Sequence, residues 1–239
     1  MKTLQYTISP AIFAKCPGYV RGLVVATGLS NTGSSAEIAE ALRLAEAGIK
    51  LTTTLESLVA SARIASWRDV LRQFGVNPSE FRPAHEALSR RAIQGKPLPN
   101  INPAVDTGNM MSLKHLMPVG VHPLDDVVGD LSLCTALGLE TFVGFGSDKT
   151  ENPKPGEPIF TEGNTVLARG WVWRQAKCSV TLPTTKNIIV HVDALPPSDI
   201  SNVLSVCAEV QALLSRICGA VCTTHILDTA HNTATLTAS

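Results

Sequence analysis

Residues 100–126 read NINPAVDTGNMMSLKHLMPVGVHPLDD. Val105, Leu113 and Leu116 recur at near-helical spacing. Asn102 can cap a helix, and Pro103 suits the first helical position, where its missing N–H is no loss. Positions 102, 106, 109, 113 and 116 then lie roughly along one face, and beyond the cap two of them, Asp106 and Asn109, are polar. Gly108 inside such a helix costs about 1 kcal/mol relative to Ala, which close approach of another backbone or a ligand would offset. A His-Pro-Leu-Asp turn, His122 to Asp125, follows as a loop. Either these polar side chains stitch the fold together or they line a site.

Towards the N-terminus, LQYTIS and YVRGLVVATGL read as strands with Pro17-Gly18 as the turn between them. SSAEIAEALRLAEAG reads as a helix, with Ser34 and Glu37 forming a capping box and Gly48 as the stop. Residues 55–65 read as helical. SWRDVLRQFG is a further helix, capped by Ser66 and ended by Gly75, with Trp67, Val70, Leu71 and Phe74 on one face. Pro83 opens another, PAHEALSRRAIQ, closed by Gly95. Beyond residue 130, LSLCTALGL, ETFVGFG, TVLARGWVWRQ and KNIIVHVDAL are short and rich in β-branched and aromatic residues, as strands are. The last clear helix is SDISNVLSVCAEVQALLSRICG, amphipathic through Ile200, Val203, Leu204, Cys207, Val210, Leu214 and Ile217, with Gly219 as its cap. The tail, 225–239, is polar and is expected to fray. Helices gather in the first half and strands in the second, so the class is α+β, in a single domain over 1–239.

The chain of 239 residues is 44% hydrophobic, enough for one sizeable core. Formal net charge is zero, which does not predict a nucleic-acid binder from charge alone. Arg82, Arg90, Arg91, Lys96 and Lys114 form one basic region, and Arg169, Arg174, Lys177 and Lys186 another; solvated faces are the simpler reading of both. The N-terminus lacks the long apolar segment of a signal peptide, and no uninterrupted apolar run of membrane-spanning length is apparent, so a cytoplasmic location without membrane contact is expected. Six scattered cysteines include no CxxC pair and read as reduced structural thiols. No nucleophile elbow, HExxH or phosphate-binding loop occurs, and the histidines do not cluster at metal-ligand spacing. GFGSDK, 144–149, lacks the third glycine and the following helix of a dinucleotide site. A metal-free, cofactor-free enzyme or a binding module is what composition and motifs leave open; they do not address oligomeric state.

Five runs carry a resemblance. FRPAHEALSRRAIQGKPLPNINPAVDTGNMMSL, PVGVHPLDDVVGDL, NPKPGEPIF, ARGWVWRQ and LPTTKNIIVHVD occur in the order and spacing of the B3/B4 domain, and the chain resembles that family, most closely over 65–195. This is the editing domain of the phenylalanyl-tRNA synthetase β subunit, and it is expected here as a free-standing protein. The resemblance implies a B3/B4-like α+β fold, with the helices of the first half packed on a mostly antiparallel sheet from the second. It also implies hydrolysis of the ester of a mischarged tRNA at its 3′ aminoacyl end, in trans, as translation quality control. Free-standing members that resemble this chain include one acting on canavanyl-tRNA(Arg).

The family's Val-Asp-x-Thr-Asn run falls on Val105-Asp106-Thr107-Gly108-Asn109, with Gly108 in place of Thr. Its editing-site His-Ala-Phe-Asp falls on His122-Pro123-Leu124-Asp125. The resemblance thus implies catalytic roles for His122 and Asn109. A glutamate that reads a tyrosine hydroxyl in the family is replaced by His191, which argues against plain tyrosine editing. The family's Gly-rich pocket strand becomes Gly170-Trp171-Val172-Trp173-Arg174. Substrate contacts are therefore expected from Asp106, Gly108, Asp125, Trp171, Trp173, Arg174 and His191, with no metal.

An aminoacyl ester is already activated, so a positioned water, a side-chain pocket and oxyanion donors suffice. His122 is expected to orient the water or act as base near neutral pH, and backbone N–H groups near Gly108 or Gly120 to complete an oxyanion hole. Asp106, Asp125 and Asp193 are the carboxylates available to a cationic amino acid, although Asp193 alternates with His191 on one strand face and is expected to pair with it. Trp171 and Trp173, two apart on a strand, are expected to point the same way. The alternatives are a non-catalytic amino-acid or tRNA-end binding module and a hydrolase of small amino-acid esters.

Overall fold

A helix does begin at Asn102. Its Oδ1 accepts from the Val105 N–H at 3.0 Å and Pro103 takes the first turn, so α6 runs Pro103–His115. The computed structural model describes residues 2–33 and 35–238. Before α6 come β1 (Lys2–Ile8), α1 (Pro10–Lys15), β2 (Val20–Thr27), α2 (Ala36–Thr52), α3 (Leu55–Ala60), α4 (Ala62–Gln73) and α5 (Ala84–Ile93). After it come β3 (Val119–Pro123), β4 (Leu131–Thr135), β5 (Phe142–Val143), β6 (Thr150–Glu151), β7 (Pro158–Glu162), β8 (Thr165–Arg169), β9 (Arg174–Gln175), β10 (Ile188–Ala194), α7 (Ile200–Cys218), β11 (Val221–Leu227) and β12 (Thr233–Ala238). The class is mixed α+β with mostly antiparallel pairing, as expected; β1 and β4 form the parallel pair.

Two larger sheets organise the molecule. One has the order β11-β2-β10-β3, the other β12-β1-β4-β7-β8-β9. In the first, register puts Arg21 opposite Asp193, Leu23 opposite His191, and Val25 opposite Ile189; His191 and Ile189 in turn face Gly120 and His122. Directly paired residues share a face. That face, with Leu23, Val25 and Ile189, belongs to a core that also takes Tyr6, Ile8 and Leu133 from the second sheet and Trp67 and Leu71 from α4. The other face, with Val24, Ala26, Val190 and Val192, packs with Met110 and Leu113 of α6 and Val203 and Val210 of α7. A sheet covered on both faces reads as near-continuous apolar sequence, which is what YVRGLVVATGL and NIIVHVDAL are, apart from Arg21, His191 and Asp193.

Several expectations need correction. β1 and β2 are not a hairpin: α1, capped by Ser9, lies between them, and they join different sheets. The α2 cap is Ser35, Ser34 lies outside the described residues, and Gly48 sits inside the helix, which continues to Thr52. Ser66 is interior to α4, whose cap is Ser61. His122 lies on strand β3, not in a loop, because β10 supplies the ladder that a local turn reading omits. The 225–239 tail is not frayed where described: β12 pairs with β1 from Lys2–Ala238 to Thr7–Thr233. Finally, α7, at 19 residues and mean hydropathy 1.2, meets the length and apolarity of a membrane-crossing helix. Its buried residues are Val203, Val206, Cys207, Val210, Leu214 and Cys218, laid against β2, β10 and α6.

That packing is close at one point. A Cβ on Gly22 of β2 would stand 2.4 Å from Cys207 Sγ and 2.7 Å from Val203 Cγ1 of α7. Gly22→Ala is therefore expected to lower unfolding free energy by about 1–3 kcal/mol through overpacking, measured by urea titration with an unchanged slope.

Candidate functional site

The free edge of β3 is where sheet, helix and loop leave a hollow. Val119 N–H donates to Ser112 Oγ of α6 at 3.1 Å, and Val121 C=O accepts from Gln175 Nε2 at 2.9 Å. The odd residues of β3 thus turn their backbone groups away from β10, so the Val121 N–H also faces this edge. Beside it is a cavity of about 200 Å³ lined by Asn109 of α6, Gly120, Val121 and His122 of β3, His191 and Asp193 of β10, Arg21 of β2, and the 168–175 segment. Leu88 of α5 closes one side.

Of the residues expected at the site, Asn109, His122, Trp171, Trp173, Arg174 and His191 line this cavity. Asp106, Gly108 and Asp125 do not. Asp106 is buried and accepts from the Ile101 N–H at 2.9 Å and Asn100 Nδ2 at 3.2 Å, fastening the chain before α6. Asp125 accepts from the Lys186 and Asn187 N–H groups and from Asn187 Nδ2, anchoring the entry to β10. Gly108 marks close approach of protein: a Cβ there would meet Val121 Cγ2 at 2.7 Å.

The histidines are set by burial. His122 and His191 have ring centroids 4.9 Å apart and both pack edge-on against Phe160, at 5.0 and 4.7 Å. Burial first, and the Arg21 guanidinium second, pull His122 down to about 3; His191 is pulled well below its usual range by burial, Arg21 and His122. Both are neutral at physiological pH, which corrects the expectation of a base titrating near neutrality. Gln175 Nε2 has two hydrogens and three acceptors: Val121 O, Ser179 O and, at 3.3 Å, His122 Nδ1. This shared bond favours the tautomer with the proton on Nε2. Gly120, two residues earlier on the same face, leaves that edge of the ring open: a Cβ there would lie 3.3 Å from Nε2.

Asp193 does not pair with His191. It is bound bidentately by Arg21, Nε to Oδ1 at 2.6 Å and Nη2 to Oδ2 at 2.9 Å, and it accepts from Tyr19 Oη at 2.5 Å. Arg21 Nη1 also donates to Tyr6 Oη. All four residues are buried. Burial raises both tyrosine hydroxyls, Tyr6 beyond the usual range and Tyr19 well above it, so they stay protonated donors. The sequence reading omitted Arg21, Tyr6, Tyr19 and Gln175. The available signal was Arg21, a lone charge in an apolar strand, which burial requires to be paired.

The two indoles do not share a strand face. The β8–β9 connection turns at Gly170 and Trp171, both with φ of 60°, and the Val172 N–H closes on Gly170 O at 2.6 Å. Positive φ is strained for a tryptophan. It is held by packing, with Trp171 edge-on to Tyr19 at 4.6 Å and to Trp67 at 5.0 Å, and by the Ala84 N–H donating to Val172 O at 2.7 Å. Trp173 instead packs against Phe81 in a tilted pair, ring centroids 4.2 Å apart. Arg174 lies over the Trp173 ring and has no carboxylate within ion-pair distance among the described residues. Much of the rest of the basic regions is neutralised: Arg68, Arg82 and Arg90 converge on buried Glu86, Arg169 on Glu151 and Glu157, and Lys114 on Glu209. Among the described residues no group of three or more metal-ligating side chains is placed to hold an ion.

With this geometry in view, comparison places the chain: it belongs to the B3/4 domain family, whose model matches residues 66–219. Over 92 residues, 38% of the chain, it is 30% identical to the phenylalanine–tRNA ligase beta subunit of Mycoplasma genitalium, and the match covers 11% of that protein. The chain thus matches about a tenth of the length of this relative. An N-terminal fragment of the phenylalanyl-tRNA synthetase beta-subunit from Pyrococcus horikoshii is similar over 93% of this chain and 53% of that one, with 10% identity and a TM-score of 0.46.

Two measurements test this account. Asp193→Asn is expected to cost about 3–5 kcal/mol of stability, because Arg21 is left buried without its counter-charge; denaturant titration reads it. Stability is also expected to fall with pH. His122 is depressed in the folded state, so its contribution is fully present above about 6.5, the unfolded value, and is lost as pH drops towards 3. His122→Gln should flatten that part of the curve.

Proposed function

We propose that this protein is an aminoacyl-tRNA deacylase that hydrolyses the ester of a mischarged tRNA in trans. The observation that carries the reading is the convergence of Asn109, His122 and His191, from three separate elements, on one cavity at an open strand edge. The cavity, about 200 Å³, matches an aminoacyl group better than a nucleotide, so the tRNA end would lie outside it. Arg174, a cation of the cavity wall without a carboxylate partner, suits a phosphate of that end. Membership of the B3/4 family supports the same reading.

The chemistry follows from neutral groups. In this reading the ester carbonyl lies against the β3 edge, where the Val121 N–H and the Asn109 carboxamide offer donors to the developing oxyanion. His122, uncharged, positions the attacking water through Nε2. With so low a pKa it is a weak base, so orientation and oxyanion stabilisation carry most of the acceleration. Water attacks the ester carbonyl directly, the C–O bond to ribose breaks, and the proton lost by the water ends on the departing ribose oxygen, so the step balances without a covalent enzyme intermediate.

A panel of misacylated tRNAs, canavanyl-tRNA(Arg) among them, tests the reading by loss of the ester. At least one member should be cleaved well above the uncatalysed rate; cleavage of none sinks it. His122→Ala, with folding verified, should slow the best substrate by about 10²-fold. The rate profile should show no inflection near pH 6.5, where a titrating general-base histidine would give one. The depressed histidines also favour a second reading, a module that binds aminoacyl ends without turnover. It predicts ligand-induced stabilisation and no ester loss from any member.

A further inference from the structure

The convergence of arginines on Glu86 is only partly neutral. The Glu86 carboxylate is buried, and Arg68 Nη1 holds both its oxygens, at 2.9 and 3.0 Å. Arg90 Nε adds a third bond at 2.8 Å. Arg82 Nε stands 3.5 Å from Oε1 and completes no hydrogen bond, although the atom is enclosed. Among the described residues no second carboxylate lies within ion-pair distance of the three guanidiniums. The neighbouring acids of the sequence, Asp69 and Glu80, are bonded instead to Arg72 and Asn77. Three cations on one carboxylate leave two positive charges over. That excess faces solvent: the side chains of Arg82 and Arg90 are 39% and 26% exposed, and their outer nitrogens make no hydrogen bond among the described residues.

Resting on the deacylase reading, we propose that Arg82 and Arg90, with Arg68 behind them, form a phosphate-binding site for the backbone of the tRNA, outside the cavity. A guanidinium fork matches the oxygens of a phosphate, and an anion here offsets the charge that Glu86 leaves. Folding alone does not call for the arrangement, since one arginine is enough to pair a buried carboxylate. The position fits an RNA strand. Ala84 and Leu88 of α5 line the cavity, while Glu86 and Arg90, offset by about half a turn, face the other way. About one helix diameter, ~10 Å, therefore separates the two places. A cationic and aromatic lip links them at the start of α5. Arg82 follows Phe81, whose ring packs on Trp173, and Arg174 of the cavity wall lies over that same indole. A single strand leaving the cavity over this lip meets rings suited to bases and forks suited to phosphates.

The test is the salt dependence of RNA binding. Deacylated tRNA is titrated with the full chain over a range of KCl concentrations and followed by fluorescence anisotropy. Arg82→Gln with Arg90→Gln should weaken binding by about tenfold or more at low salt. The slope of log affinity against log salt should become shallower by about 1.4–1.8, because two phosphate contacts no longer release counterions. Arg82→Lys with Arg90→Lys keeps the charge and should restore most of the slope. Lys50→Gln with Lys154→Gln removes the same charge at exposed positions elsewhere and should leave the slope as it is. Arg68 still pairs Glu86 in every variant. If the double glutamine variant fails to fold, Arg82→Gln decides alone, with a change of about 0.7–0.9, since it removes no hydrogen bond. An unchanged slope, an equal change in the lysine control, or no binding of tRNA overturns the site. Inorganic phosphate, titrated calorimetrically at fixed ionic strength, covers the other source of the anion: saturable binding lost in the double variant, with the tRNA slope unmoved, overturns the RNA assignment. The panel of misacylated tRNAs separates the two ideas. A shallower slope without ester loss from any member defeats the deacylase reading alone, and ester loss with an unchanged slope defeats this one alone.

Discussion

The Arg21–Asp193 ion pair is the interaction on which the rest of the site depends. It joins β2 to β10 on the face that looks into the inter-sheet core, where a lone charge would be prohibitive. Replacing such a pair by apolar side chains is often neutral for stability, so stability alone does not account for it. What it does here is fix geometry. Through Tyr6 it reaches β1 of the second sheet, and through Tyr19 it reaches the packing of Trp171 and Trp67. Two sheets and the β8–β9 turn are thus tied to one polar floor.

The same floor sets the chemistry of the histidines. Enclosure between the sheets removes water from both imidazoles, and the neighbouring guanidinium adds a like charge to any proton they take up. They are therefore neutral hydrogen-bonding groups. If the proposed deacylase reading holds, this would be sufficient for an ester already activated by its attachment to ribose, because fixed donors in a dry site need no reorganisation as charge develops. A site of this kind works by shape and orientation.

Much of the fold was legible because its signals are local. Asn102-Pro103 marks the start of α6, Gly219 the end of α7, and near-continuous apolar runs mark β2 and β10. What was not legible depends on distant partners. VGVHP carries Gly and Pro and reads as a turn, yet β10 pairs with it from nearly seventy residues away. The threonine-rich tail reads as polar, yet β1, at the other end of the chain, gives it a ladder. The site divides in the same way. His122, Asn109 and His191, named through resemblance, do line one cavity, whereas Asp106 and Asp125, named with them, do not. Their backbone partners, at 101 and at 186–187, show only in three dimensions.

The position of the cavity follows from sheet mechanics. An edge strand exposes unpaired N–H and C=O groups, a liability that proteins usually cover. Here α6 covers one end through Ser112, and Gln175 covers the middle carbonyl, while the Val121 N–H points to the same edge beside His122. The cover is supplied by the β8–β9 segment, whose turn holds Trp171 at a backbone angle that tryptophan rarely adopts. Such strain persists only where packing over-determines it, and two aromatic neighbours, Tyr19 and Trp67, and the α5 N-terminus do so here. The segment that closes the strand edge therefore also fixes one wall of the cavity. A change that relaxes the Trp171 turn would loosen Gln175, and with it the hydrogen bond that orients His122.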